Sequence, residues 1–374
     1  MNSALGPDVV SGCAAARAGL SRARELAEME VLDPVEGAPV PVLVHQVPGA
    51  EGFTGLGRLI RLGVGALDDM VGRAGISARE LAESACILNL PSGYYGQMAD
   101  GMVVSAEGET RFPDRPVPPD GAELRERISD HSSRLAPRLF ELAASGTAPA
   151  YVQILVGDQA GCAASLRLAV ELIAGGRFPR CLVGGIDSFV DRAVLEKLAV
   201  VGVLATPANP VGFMPGEGAA FVLIERDDVA ARRGAERLAV PEAPSFLGDD
   251  PHQLSEESPS GRTLTAAILQ TLGGCPDQGT GTGLVVGTCN GTYWSALEWG
   301  AAQVQLPLQI GQSPQWFPAE SFGETGAAAG LMACCVATRA LQRGYAPSPK
   351  ILSWFSSGRG EKGAVRLSHP SAVA

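Results

Sequence analysis

The chain has 374 residues, 46% of them hydrophobic and 18% charged, with a formal net charge of −11. That apolar share excludes a disordered chain and suffices to bury a large core, as two domains or one large one. An excess of Asp and Glu (40) over Lys and Arg (29) excludes nucleic acid as the main partner, because binding it needs clustered base; an acidic surface serves solubility. Gly 47 and Pro 27 point to many tight turns. No run approaches the roughly 20 apolar residues of a membrane span, and Met1–Gly6 lacks the basic-then-apolar order of a signal peptide. A cytoplasmic protein without a membrane partner is expected. Eight cysteines (Cys13, Cys86, Cys162, Cys181, Cys275, Cys289, Cys334 and Cys335) are scattered through apolar runs with no CxxC pair. They read as reduced, buried thiols rather than a disulfide framework or a zinc site; no metal or cofactor is expected.

In chain order, Ser11 to Leu26 reads as a helix and residues 30–52 as loop with short strand. Leu56 to Arg73 is predicted helical, with a core-facing stripe at Leu59, Leu62, Ala66 and Met70. Ser84 to Leu90 is a continuous apolar run, the mark of a strand buried on both faces. Residues 98–120 read as an exposed excursion and Arg125 to Ala144 as a helix. Ala150 to Val156 is a strand and Ala163 to Ala174 a helix apolar nearly all round, hence internal. Cys181–Gly185 and Gly218–Glu225 are further buried strands. The Pro-, Ser- and acid-rich residues 240–262 mark the joint between halves, 1–240 and 241–374. Beyond it come a helix (Leu264–Leu272), a strand (Thr282–Thr288) and a helix (Ser295–Gln303). A turn-rich loop (Pro318–Gly326), a long apolar helix (Ala327–Gln342) and two strands (Lys350–Phe355, Ala364–Leu367) close the chain. The second half repeats the first, which predicts a layered α/β domain with central helices.

Four segments carry a family likeness. Gly157-Asp-Gln-Ala-Gly-Cys-Ala-Ala-Ser-Leu-Arg-Leu-Ala-Val170 resembles the nucleophile segment of the β-ketoacyl synthases. Phe213-Met-Pro-Gly-Glu-Gly-Ala-Ala220 resembles that family's Gly-Glu-Gly-Ala turn. Gly323-Glu-Thr-Gly-Ala-Ala-Ala-Gly330 resembles its Gly-His-x-x-Gly-Ala-Ala-Gly loop, and Ser3–Gly6 with Gly19 the segment after its first strand. The resemblance spans essentially the whole chain, short of that first strand, and implies a thiolase-like five-layer αβαβα fold of two pseudo-repeated halves. It also implies acyltransfer chemistry: a cysteine at a helix N-terminus accepts the acyl chain, and two histidines stabilise the enolate and oxyanion.

The constant length of the buried helix puts Gln159 on the cysteine position. Glu324 falls on one histidine and Gly287 on the other, with Ala319 where a lysine usually stands. None of His45, His131, His252 and His369 lies in these motifs. A glutamine cannot be acylated, but its amide can hydrogen-bond at a helix start; Asp158-Gln-Ala-Gly161 resembles the chain-length factors, the inactive partners of type II ketosynthases. The resemblance therefore implies a non-condensing partner in polyketide or fatty-acid-like biosynthesis, either a homodimer or a heterodimer with an active ketosynthase, with acyl carrier protein as a further partner. Two readings stand beside it: a divergent acyltransferase or thioesterase using Cys162 or Cys289 with Glu324 as base, and a purely structural homodimer. Asp187 reads as a cap, and Trp294, Trp299 and Trp316 as packing residues.

Overall fold

The computed structural model describes residues 1–32, 38–105, 110–113, 128–248, 251–274 and 281–373. Two five-stranded sheets carry the fold. The first has the spatial order Asn2–Ser3, Glu217–Glu225, Arg180–Ser188, Ala85–Leu90, Tyr151–Val156. The second runs Val240–Leu247, Lys362–Ser368, Lys350–Ser356, Thr282–Gly287, Gln315–Trp316. Each sheet has three parallel strands at one end, followed by two antiparallel pairings. That shared pattern is the pseudo-repeat.

Between the sheets lie the helices Gly161–Ala174 and Ala329–Gln342, whose Leu166, Ala169, Leu331, Ala333 and Ala337 join Val183, Val286, Ile351 and Val365 in one core. Gly330 permits their close approach, since a Cβ there would stand 2.4 Å from Cys162 Cβ. Helix Gly55–Ala74 covers the outer face of the first sheet and helix Arg262–Gly273 that of the second, completing five layers. The stripe Leu59, Leu62, Ala66 and Met70 is buried, as its spacing requires. No helix among the described residues is long and apolar enough to cross a membrane.

Several elements differ from expectation. The first helix is Val9–Arg17 and ends before Gly19, which is left-handed (φ 69°). Arg24–Leu32 then forms a strand paired antiparallel with Pro39–Val44. The edge facing Gly218 and Ala219 carries a two-residue strand, Asn2–Ser3. The segment 240–262 opens with a strand rather than a loop: Val240–Leu247 pairs with Lys362–Ser368, Pro241 stays in register opposite Leu367 on this edge strand, and a bulge at Ala243 (φ 44°) accommodates Pro244. Of the helix expected from Arg125, residues 128–130 are helical and run through a π-helical turn, His131–Leu135, into Ala136–Leu142; residues 125–127 and Cys275 lie outside the described residues. The helices Tyr94–Asp100 and Arg192–Val200 were not legible as such.

A buried ion pair fixes the outer helix to its sheet. Glu217, the acid of the Gly-Glu-Gly-Ala turn, is fully buried and takes Arg58 Nε at 2.5 Å and Nη2 at 2.9 Å. Its oxygens also accept Val47 N at 2.9 Å and Ser188 Oγ at 2.7 Å. Removing one partner of such a pair strands a buried charge. Arg58→Ala is therefore expected to lower the unfolding free energy by about 3–5 kcal/mol, read as a fall in the urea midpoint; a midpoint within error of the parent would refute this role.

Candidate functional site

The site forms where the two central helices begin. The chain leaves strand Tyr151–Val156 through a tight elbow in which Asp158 adopts a left-handed backbone (φ 44°). Asp158 holds that conformation through its carboxylate, which accepts Ser92 N at 2.8 Å and also Ser92 Oγ. Asn89, buried in the neighbouring strand, fastens both helix entrances. Its Nδ2 donates to Asp158 O at 2.6 Å and to Ala327 O at 2.9 Å, while its Oδ1 accepts Gly157 N at 3.2 Å.

Gln159 follows the elbow and is 4% exposed. Its side chain lies near enough to Glu324, which is 2% exposed, to help hold that carboxyl's pKa down. Glu324 Oε2 accepts Asn290 Nδ2 at 2.6 Å and its Oε1 accepts Gly326 N at 2.7 Å. Asn290 is oriented in turn by Thr292, whose N (3.2 Å) and Oγ1 (2.9 Å) both donate to its Oδ1. Two residues picked out from the sequence, Gln159 and Glu324, thus meet; the third member, Asn290, was passed over.

Gly287, by contrast, presents no functional group. A Cβ there would fall 2.2–2.5 Å from the Trp354 indole, so a tryptophan from the adjacent strand fills the space a side chain would need. Trp354 stacks on Trp299 at 4.6 Å, and its Nε1 has no hydrogen-bond partner among the described residues. Gly287, Ala319 and Glu324 share only a void of about 10 Å³, at most the size of one water. Buried Glu298 pairs with buried Lys362 at 2.7 Å.

Neither rival thiol joins the cluster. Cys162 is fully buried with its sulfur 4.0 Å from Cys334 Sγ, and burial pushes its pKa well up. Cys289 is half-buried against the cluster of Trp299, Trp354 and Leu352. Asp187 caps the turn leading into the second central helix, accepting Ala327 N at 2.8 Å and Ser188 N at 2.7 Å. Among the described residues no group of side chains has the makeup of a metal site.

A cavity of about 880 Å³ opens beside the elbow, lined by Asp158, Gln159, Asp187, Tyr94, Tyr95 and Phe189 among others. Gln159 lines it whereas Glu324 and Asn290 do not. Burial raises the pKa of Glu324, Asp158 and Asp187, the last well above the usual carboxylate range. Hydrogen bonds to Glu324 from Asn290 and Gly326, together with the nearby Gln159 amide, oppose that shift. The arrangement can bind and orient a ligand at Gln159. At that point the cavity meets an amide side chain.

No protein-family model matches the sequence, and no curated protein matches it. Solved structures do match. The ishigamide ketosynthase/chain length factor superposes with a TM-score of 0.69 at 20% identity, covering 98% of this chain and 96% of that one. A β-ketoacyl synthase from Burkholderia phymatum STM815 gives 0.70 at 16% identity, over 98% and 97%. AntDE:AntF, a type II polyketide synthase acyl carrier protein in complex with its ketosynthase bound to the hexaketide, gives 0.73 at 13% identity, over 98% and 96%. The chain has the thiolase-like ketosynthase fold. The five layers of this ketosynthase-fold chain accord with its four sequence motifs, at identities that establish the fold alone.

Because Trp354 occupies the space at Gly287, placing a histidine there is expected to destabilise the ketosynthase-fold chain by roughly 1–3 kcal/mol through overpacking. Combining Gly287→His with Trp354→Ala should cost less than the sum of the two single changes; strict additivity in chemical denaturation would contradict the account. His45 backs the same loop, its ring against Gly323 and its backbone N on Pro215 O at 2.8 Å. Burial lowers its pKa to about 4, against a hydrogen bond with the Ser321 backbone. Its folded pKa lies below the unfolded value near 6.5, so the stability it contributes is present above about pH 6.5 and is lost as pH falls through about 4. At pH 5 the loss is on the order of 2 kcal/mol. A His45→Gln variant should show a smaller drop in Tm between pH 7 and 5 than the parent; parallel curves would refute it.

Proposed function

We propose that this chain is a non-condensing, chain-length-factor-type partner of an active ketosynthase in polyketide or fatty-acid-like biosynthesis. One observation carries the reading: the cavity beside the helix entrance meets the amide of Gln159, which accepts no acyl group, in place of a thiol. Its volume suits an acyl chain, and Gln159 lies near Glu324, which stands outside the cavity. The core position of Cys162 and the packing of Cys289 favour this role over thiol-dependent acyl transfer.

The strand Tyr151–Val156 supports a paired assembly. It is the outer strand of its sheet, partly exposed along an apolar run, and an edge of that kind is a template for another strand. Two fold relatives, a ketosynthase/chain length factor and a ketosynthase in complex with its acyl carrier protein, support the partner classes chosen. In this reading Gln159, Glu324 and Gly287 stand at positions where the condensing residues of a ketosynthase would be.

Co-expression with candidate ketosynthases and acyl carrier protein is expected to yield a heterodimer and a changed product distribution. A chain that remains a homodimer and alters no product would defeat the proposal. Incubation with an acyl thioester followed by intact-mass measurement should leave Cys162 and Cys289 unmodified; an adduct on either, with thioester turnover, would establish the acyltransferase alternative instead.

A further inference from the structure

Far along the second central helix from its entrance, a second cavity is unlike the rest of this acidic chain. It measures about 620 Å³ and is lined by Val10, Cys13, Ala14, Arg17, Ala18, Arg339, Arg343 and Tyr345. The lining holds three guanidinium groups and no carboxylate. Exposed arginines elsewhere, such as Arg79, Arg192 and Arg237, pair with acidic side chains. Arg17, Arg339 and Arg343 have no ion-pair partner among the described residues, in a chain with net charge −11.

Their arrangement is fixed in part. Arg17 lies over the Tyr345 ring, 3.8 Å from its centroid, and Arg339 donates to Gln342 Oε1. Nearby carboxylates are engaged. Glu236 accepts Gln342 Nε2 at 3.2 Å, and Asp69 is held by the Met1 amine and Arg73. Burial raises the Tyr345 pKa, as does Cys13, while Arg17, Arg339 and Arg343 all pull it down. Arg17 and Arg339 sit in the last turns of their helices, where a cation offsets the helix dipole. That role needs neither a common cavity nor a third arginine.

We propose that this groove is an anion site for a phosphorylated small molecule bearing at least two negative charges. Guanidinium forks match phosphate oxygens bidentately, and the volume falls within the range of small-molecule sites. The site is independent of the role assigned to Gln159.

The test is calorimetric titration of the full chain at low ionic strength with inorganic pyrophosphate and, separately, with adenosine diphosphate, against chloride matched in ionic strength. Binding of pyrophosphate is expected. Arg343→Ala and Arg17→Ala should each weaken it by about tenfold, and Arg343→Lys should restore part of it. Gln159→Ala, at the other cavity, should leave it unchanged. Tighter binding of the diphosphate nucleotide than of pyrophosphate would mean that the groove also takes the organic part of the ligand; equal binding would limit recognition to phosphate. Absence of binding in both arms overturns the proposal. So does binding that the folded arginine variants retain, or that a poly-glutamate peptide alone produces.

Discussion

The carboxamide of Asn89 is the contact on which the site depends. It is buried in a strand flanked on both sides by parallel neighbours, and it bonds backbone groups at Gly157, Asp158 and Ala327. Those three residues belong to the loops that open the two central helices. One side chain thus sets the relative position of both helix entrances, and with them Gln159 and Glu324. In a buried setting each of these backbone groups would otherwise go unsatisfied, so the geometry is held by the cost of the alternatives. An apolar residue at this strand position would satisfy the burial pattern and abandon the site.

Ion pairs repeat the logic at a larger scale. Arg58 with Glu217 ties the outer helix to the first sheet, and Lys362 with Glu298 ties the helix Tyr293–Gln303 to the hairpin of the second. Both pairs are buried, and Ser188 and Ser356 add a hydroxyl hydrogen bond to each carboxylate. Such pairs add little net stability but penalise misplacement heavily. They orient the covering layers over an interior whose apolar packing would tolerate small slides.

Near Gln159 the balance differs. Glu324, Asp158 and Asp187 are buried carboxylates whose pKa values burial raises. They are held by hydrogen-bond donors: backbone N–H groups in every case, joined by the Ser92 hydroxyl at Asp158 and by the Asn290 side-chain amide at Glu324. This is a polar network built for shape and hydrogen bonding. The large cavity touches it through Asp158, Gln159, Asp187 and Ser188 and does not reach Glu324.

The layered architecture was legible because it rests on local patterns: unbroken apolar runs for buried strands, all-round apolar helices for the centre, and four motifs in order. The meeting of Gln159 with Glu324 could also be anticipated, from a helix of fixed length and a loop of recognisable composition. The strand Val240–Leu247 could not, because two prolines hide its alternation and a bulge breaks its register between Glu242 and Ser245. What only the tertiary structure decided were contacts between residues remote in sequence: Asn290 against Glu324, Lys362 on Glu298, and Trp354 in the space beside Gly287. Sequence periodicity reports which face of an element is buried, but not which distant side chain arrives there; that choice is made when sheets and helices pack to close density.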